Sequence, residues 1–261
     1  MPATIAAIAE KLGAAARRFD IDVLPRCDST NAVLLSRAEA GAPSGTVVIA
    51  DEQTAGRGRR GRSWFASPAD SLTFSLLWRF APGTAPAGLS LAVGVAVARA
   101  LQKAGAGETA LKWPNDILKN GGKLGGILVE LVPGAPHAAV IGIGINLRLP
   151  AGMPDDVRAA SAAIGAAGSA GSATDPNPLL AALLGELLAT LDSFAAQGFA
   201  AIREEWMARH AHQNARVSLS ADFGQPREGI CRGVDTDGAL LLEVDGRVER
   251  ILSGEVSLRP A

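Results

Sequence analysis

Between residues 110 and 149 the chain runs through four β-rich stretches (110–113, 117–119, 123–132 and 138–149) with no room for a helix between them. The connections are Pro114-Asn115-Asp116, Asn120-Gly121-Gly122 and residues 133–136. Asn-Gly supplies the positive φ that a tight hairpin needs, and Pro, Asn and Asp each favour turns. Successive hairpins of this kind are expected to build an antiparallel stretch of sheet. In the last stretch Gly142 and Gly144 alternate, which permits close approach by another backbone or a ligand. Asn146 is the polar end of that apolar run, read alone as a turn-forming asparagine.

The flanks supply helices and more strands. Residues 5–16 read as a short amphipathic helix ending near Arg18, and 19–24 alternate as a half-exposed strand does. Asp28-Ser29-Thr30-Asn31 precedes the helical run 32–40, where small polar side chains are expected to satisfy free backbone N–H groups. Residues 41–45 form a turn, 46–50 a strand, and 71–80 a strand with Leu72, Phe74 and Leu76 on one face. Residues 89–103 read as a largely buried helix. The stretch 151–178 is rich in Ala, Gly, Ser and Pro and is expected to be partly mobile. Helices over 179–196 and 199–210 follow. From Arg216 short strands and Asp/Gly turns point to a small barrel. The expected domains are 1–212 and 213–261. No internal repeat is apparent.

Composition narrows the function classes. A net charge of −1 gives no global attraction to nucleic acid or anionic membrane. Cys27 and Cys231 are the two cysteines, too few for a disulfide framework. No apolar run reads as membrane-spanning and no signal-peptide pattern opens the chain, so a cytoplasmic location is expected.

Three clusters carry chemistry. Gly56-Arg57-Gly58-Arg59-Arg60-Gly61 spells G-x-G-x-x-G, but Arg62-Ser63-Trp64-Phe65-Ala66-Ser67-Pro68 is a poor helix start, so the dinucleotide reading fails its context. Arginines this dense repel one another, and a mobile loop that orders around an anion is expected. A solvated basic loop and a nucleic-acid patch are the competing readings. The second cluster is Lys112-Trp113-Pro114-Asn115-Asp116 with Lys123. Its lysines could converge on phosphoryl oxygens, and Asp116 could hold a metal ion or orient a lysine; an ordinary surface hairpin is the alternative. The third is Gly142 to Asn146. His210 and His212 are spaced to splay on a helix, His137 reads as a hairpin-turn residue, and Cys27 as a small packed residue. Ser29 lacks the context of a hydrolase nucleophile.

Taken in order, the strings CDSTN (27–31), GRGRRGRSW (56–64), KWPND (112–116), KLGGILVE (123–130), GIGIN (142–146) and GEVSLR (254–259) resemble the biotin protein ligase family. The resemblance implies an α+β fold: a mixed sheet with helices packed on it, like class II synthetases, then a small C-terminal SH3-like barrel. It implies attack of biotin carboxylate on MgATP, giving biotinyl-5′-AMP, then transfer to a lysine of a biotin carboxyl carrier domain. By resemblance, Arg57, Arg59, Lys112 and Lys123 would be catalytic. Ser29, Thr30, Asn31 and Gln53 would bind the ureido ring, with Gly56 and Gly58 beside the biotin, and Trp64, Gly125 and Gly126 would wall its valeryl chain. Asn115, Asp116, Asn146 and Arg259 would serve the nucleotide, Asp116 also Mg²⁺. The Gly/Arg loop would be a lid that shields the adenylate from water.

Some relatives carry a DNA-binding domain before the CDSTN-like segment and stack a tryptophan on adenine after the GIGIN-like one. Few residues precede Cys27, so a monofunctional ligase without repressor activity is expected, with no nucleic-acid or membrane partner. No aromatic lies between residues 151 and 173, so either adenine would rest on aliphatic groups or this segment would contribute less to nucleotide affinity. Subunit interfaces near the lid leave a homodimer open. The rivals are a lipoate or octanoate ligase, whose pocket needs no Ser-Thr-Asn-Gln set, a nucleic-acid-binding module, and a non-catalytic dimerisation module.

Overall fold

The computed structural model describes residues 3–150, 152–165, 175–221, 226–252 and 256–260; for Pro136, Ala221, Val256, Ser257, Arg259 and Pro260 it describes the backbone alone. The chain opens with α1 (Ile5–Leu12) and a 3-10 turn (Gly13–Arg18) that leads into β1 (Asp20–Cys27). The helix is shorter than its composition suggests because Gly13 takes φ +57°, which right-handed helix cannot continue through. Then come α2 (Thr30–Glu39), β2 (Thr46–Gln53), β3 (Ser71–Arg79) and α3 (Leu89–Lys103). The hairpin region folds as β4 (Ala110–Lys112), β5 (Asp116–Lys119), β6 (Gly122–Val132) and β7 (Ala135–Asn146). His137 lies within β7, where its carbonyl accepts the Phe80 N–H, and not in the turn, which Gly134 makes with φ +72°.

After β7 come α4 (Asp155–Ala159) and α5 (Pro176–Gln197). The last expected helix is broken: a 3-10 turn at Phe199–Ala201 precedes α6 (Arg203–Ala208), so His210 and His212 sit beyond the helix. Five strands close the chain: β8 (Arg216–Ala221), β9 (Arg227–Val234), β10 (Leu240–Val244), β11 (Arg247–Ile251) and β12 (Val256–Pro260).

β1 to β7 form one sheet in the order β1-β2-β3-β7-β6-β5-β4, and β8 to β12 a second in the order β11-β10-β9-β8-β12. The first sheet is mixed, because β1 runs parallel to β2 while every other pair is antiparallel. The β3–β7 register sorts its two faces. Leu72, Phe74 and Leu76 lie opposite Ile145, Ile143 and Ile141, and all six are buried in the core shared with α3 and α5. Thr73 and Ser75 lie opposite Gly144 and Gly142, on the other face. A strand with two bare positions on one face leaves a notch there, while the full side bears the packing, at about 1.5–3 kcal/mol for each large apolar side chain buried.

α5 corrects the expectation that no segment reaches membrane-spanning length: by length and composition it could cross a membrane. Half of it is buried, with Leu180, Leu183, Leu184, Leu187, Leu191 and Phe194 in the core, so its apolar character is spent on packing against α3 and α1. The two sheets meet at Trp113, fully buried, whose Nε1 donates to the Gly238 carbonyl at 3.1 Å.

Candidate active site

The glycine-notched sheet face, the start of α2, the Gly/Arg hairpin and the segment around α4 enclose a cavity of about 1230 Å³. Pockets for one small ligand run to roughly 300–1,000 Å³, so this one has room for more than a single small molecule.

One end is neutral and polar. Ser29, Thr30, Asn31 and Gln53 line it, and all four are buried. The α2 N-terminus is not capped as its sequence suggests. Ser29 stands at the N-cap without a side-chain cap bond, and the Thr30 N–H donates instead to Gln53 Oε1 at 2.7 Å, from β2. That exchange leaves the Ser29 hydroxyl without a cap bond, on the cavity wall. Gly142 is bare for a reason: a Cβ there would lie 2.2 Å from Asn31 Oδ1. The neighbouring Cys27 thiol is pushed up by burial and by Asp28, which suits a packed residue and not a nucleophile.

The other end is cationic. Asp116 Oδ1 lies 2.5 Å from Lys123 Nζ, and its Oδ2 lies 3.5 Å from Lys112 Nζ. Two lysines, from β4 and β6 on either side of β5, thus converge on one β5 carboxylate. Asn115 is held by donation from its Nδ2 to the Ile127 carbonyl at 2.8 Å, and its Oδ1 meets Arg59 Nη1 at 3.5 Å. Burial lowers the Arg59 pKa, opposed by Asp116 and reinforced by Arg60 and Arg62. Asp116 is thereby occupied by ammonium groups, and among the described residues no three His, Cys, Asp or Glu side chains group to hold a metal. This donor set does not fit a resident metal ion.

The Gly/Arg loop is a small hairpin. Gly58 N–H donates to the Arg62 carbonyl at 2.7 Å and Trp64 N–H to the Gly56 carbonyl at 2.8 Å. Trp64 lies against Gly144, where a Cβ would stand 2.4 Å from its Cε2. Gly144→Ala must therefore move the Trp64 ring, at about 1–3 kcal/mol for overpacking. That is expected to raise KM for the ligand under Trp64 about tenfold or more. Steady-state kinetics on the variant check it, and an unchanged KM would remove Trp64 from the binding wall.

The third wall went unread in the sequence. Met153, Val157, Ala160 and Ser161 line the cavity, and the segment is fastened to β6: Lys123 N–H donates to the Ala160 carbonyl at 2.8 Å and Ala162 N–H to the Lys123 carbonyl at 2.9 Å. Asn146 Nδ2 donates to the Ala162 carbonyl at 3.0 Å. Residues 152–165 are thus ordered; the rest of the stretch expected to be mobile lies partly outside the described residues. His212 and Leu258 complete the lining next to Lys112. Burial, with the Lys112 charge, pushes the His212 pKa down.

Four buried polar atoms on these walls have no hydrogen-bond partner among the described residues: Trp64 Nε1, Thr73 Oγ1, Asn146 Oδ1 and His212 Nδ1. Buried polar groups are nearly always paired, so their shared location marks a surface shaped for a polar ligand. Sequence motifs found Trp64 and Asn146. Thr73 and His212 fall outside every motif.

Of the residues expected at the site, Arg57, Gly58, Arg59, Lys112, Asn115, Asp116, Lys123 and Gly126 also line the cavity. Gly56 and Gly125 do not. Gly56 packs under Trp64, where a Cβ would meet the Trp64 carbonyl at 2.5 Å, and Gly125 packs on β7, where a Cβ would meet the Gly144 carbonyl at 2.7 Å. The backbone of Arg259 is paired to Ser218 in the second sheet, and its side chain lies outside the described residues.

One cavity links a buried polar socket to a cluster of lysines and arginines, a combination suited to a ligand with a neutral polar head and an anionic end. The fold and the cavity define a ligase of the carboxylate-activating class. Residues 23–146 match the Biotin/lipoate A/B protein ligase family, and residues 221–259 match the Biotin protein ligase C terminal domain. The chain is 41% identical to the Bifunctional ligase/repressor BirA of Escherichia coli, across 92% of this chain and 74% of that protein. It is 37% identical to the Biotin--[acetyl-CoA-carboxylase] ligase of Mycobacterium tuberculosis, across 94% of this chain and 91% of that one. The fold superposes on the biotin protein ligase of Aquifex aeolicus in complex with biotin and ATP with a TM-score of 0.78, at 27% identity, covering 93% and 99% of the two chains. This chain belongs to the biotin protein ligase family, and its second sheet is the SH3-like barrel of that family.

Proposed function

We propose that the cavity holds biotin and ATP end to end, with the ureido head at Ser29, Thr30 and Gln53 and the carboxylate at Lys123. As a biotin protein ligase, the chain joins biotin to protein at the expense of ATP, through an acyl-adenylate. The biotin carboxylate oxygen attacks the α-phosphorus, the bond to the β-phosphate oxygen breaks, and pyrophosphate leaves. Lys112, Lys123, Arg57 and Arg59 stabilise the charge that gathers as two anions meet. A lysine amine of a carboxylase's biotin carrier domain then attacks the acyl carbon, losing a proton and expelling AMP.

The convergence of Lys112 and Lys123 on Asp116, in the same cavity as the buried polar socket, carries this reading. Trp64 and Gly126 flank the valeryl chain. Met153, Val157 and Ala160 offer adenine the aliphatic surface that replaces an aromatic, and Asn146 Oδ1 is positioned for a nucleotide hydroxyl. Mg²⁺ arrives with the ATP phosphates and has no resident site at Asp116. Residues 1–212 are assigned to the catalytic domain and 213–261 to the barrel, and Arg259 is assigned to the nucleotide by family resemblance alone. Both cysteines are free, which suits action in the cytoplasm.

Pyrophosphate exchange into ATP is expected with biotin and not with lipoate or octanoate, because an apolar ring or alkyl end would leave the polar socket unpaired. Equal exchange with lipoate would overturn the assignment. Arg59→Gly removes a charge-assisted contact and is expected to shorten the lifetime of the bound adenylate about tenfold or more. Adenylate retention on a desalting column reads this directly; unchanged retention would refute the lid.

A further inference from the structure

Behind the polar socket lies a chain of hydrogen bonds that reaches residues outside the cavity. Asn31 Nδ2 donates to Glu130 Oε2 at 2.7 Å and to the Leu128 carbonyl at 3.2 Å. Asn31 Oδ1 lies 2.5 Å from Ser75 Oγ, Ser75 Oγ lies 2.7 Å from Thr30 Oγ1, and Thr30 Oγ1 lies 3.1 Å from Gln53 Oε1. Ser75 is fully buried.

Valence fixes where each proton goes. Two acceptors at one end of the Asn31 amide require its nitrogen there, so its oxygen must face Ser75. An amide oxygen only accepts, so the single Ser75 proton goes to Asn31. Ser75 Oγ can then only accept from Thr30, which uses the single Thr30 proton. Gln53 Oε1 does not need that proton, because the Thr30 backbone N–H already donates to it at 2.7 Å. Thr30 Oγ1 is left with an unshared pair and no proton to give.

We propose that Ser75, anchored through Asn31 by Glu130, is a positioning residue that makes Thr30 an obligatory acceptor and so selects a substrate ring bearing an N–H donor. Neither Ser75 nor Glu130 is among the residues that line the cavity. Asn31, with both amide protons committed, transmits the polarity and has no proton left to offer the ring. A ring without N–H leaves the Thr30 oxygen buried and unpaired, and a Thr30 hydroxyl free to turn would lose that selectivity. The inference rests on the socket being the ureido site.

The test compares KM for biotin with KM for biotin methylated on the ureido nitrogen that faces Thr30, in the intact enzyme. The steric penalty of the methyl group is common to all variants and cancels in the comparison. Ser75→Ala frees the Thr30 proton and is expected to reduce the discrimination about fivefold or more, with kcat for adenylation little changed. Glu130→Leu is expected to reduce it in the same direction, while Glu130→Gln, which keeps an acceptor facing Asn31, retains the wild-type ratio. The Glu130 pair carries the test if Ser75→Ala does not fold. An equal rise in both KM values would show mere loosening and overturn the proposal, as would wild-type discrimination in Ser75→Ala or Glu130→Leu. Thr30→Val separates the two levels. If it leaves KM for biotin unchanged, the ureido assignment fails; if it raises KM while the Ser75 and Glu130 variants keep wild-type discrimination, only the relay fails.

Discussion

Lys123→Met is expected to slow adenylate formation by about 10²- to 10³-fold, the loss typical of removing one preorganised charge stabiliser. In the folded chain Lys112 and Lys123 share the single Asp116 carboxylate, so the cluster carries a net positive charge at rest. Without Lys123, Asp116 and Lys112 neutralise each other. A carboxylate and a phosphate then meet with the arginines alone to offset their repulsion. Methionine keeps the length and apolar stem of the side chain, so packing changes little. Lys123→Arg is expected to rescue poorly, because a planar fork cannot occupy the compact ammonium position beside Asp116. Single-turnover formation of biotinyl-AMP, with a thermal melt as the folding control, measures the effect. A change below threefold would place the catalytic charge elsewhere.

Acid is expected to destabilise the fold through His210, by about 3 kcal/mol in total between pH 6.5 and 4. His210 is buried against Trp206, with ring centroids 4.5 Å apart, and its pKa is lowered to about 4, chiefly by burial. Gln213 opposes the shift with a 3.4 Å contact to Nδ1, and His212 adds to it by repulsion. The unfolded chain takes up the His210 proton near pH 6.5, whereas the folded chain resists until about pH 4. Stability contributed by the neutral ring is therefore full above pH 6.5 and is lost as pH falls through 4. His210→Phe keeps a ring on Trp206 and cannot charge. Its melting temperature is expected to fall less steeply than that of the parent over this window. Parallel slopes for the two proteins would show that carboxylates alone govern the acid transition.

Much of this site was legible because its chemistry is local in sequence. Lys112, Asn115 and Asp116 occupy one tight turn, and the Asn120-Gly121 hairpin returns Lys123 to their side. The β-runs, α3 and the terminal barrel strands were readable from periodicity and turn residues. What escaped was long-range. The α2 N-terminus borrows its acceptor from Gln53, 23 residues away, so Ser29 is not the capping group its position suggests. Ser75 reads as an ordinary strand residue until the register sets it opposite Gly142 and against Asn31. The Gly142 and Gly144 pair announced close approach but not by what; the answers are two side chains, Asn31 and Trp64. The wall from Met153 to Ser161 carries no chemical signature, because its role depends on backbone bonds to Lys123.

Those backbone bonds give the cavity one firmly tied wall. The Ala160–Ala162 segment is laced to both sides of Lys123 and, through Asn146, to the end of β7, so it behaves as a fixed jamb. The hairpin from Gly56 to Trp64 makes its backbone bonds within itself and meets the sheet through side chains, Arg59 at Asn115 and Trp64 at Gly144. Arg57, Arg59, Arg60 and Arg62 of that hairpin line the same cavity and offer attractive charge to an anionic ligand.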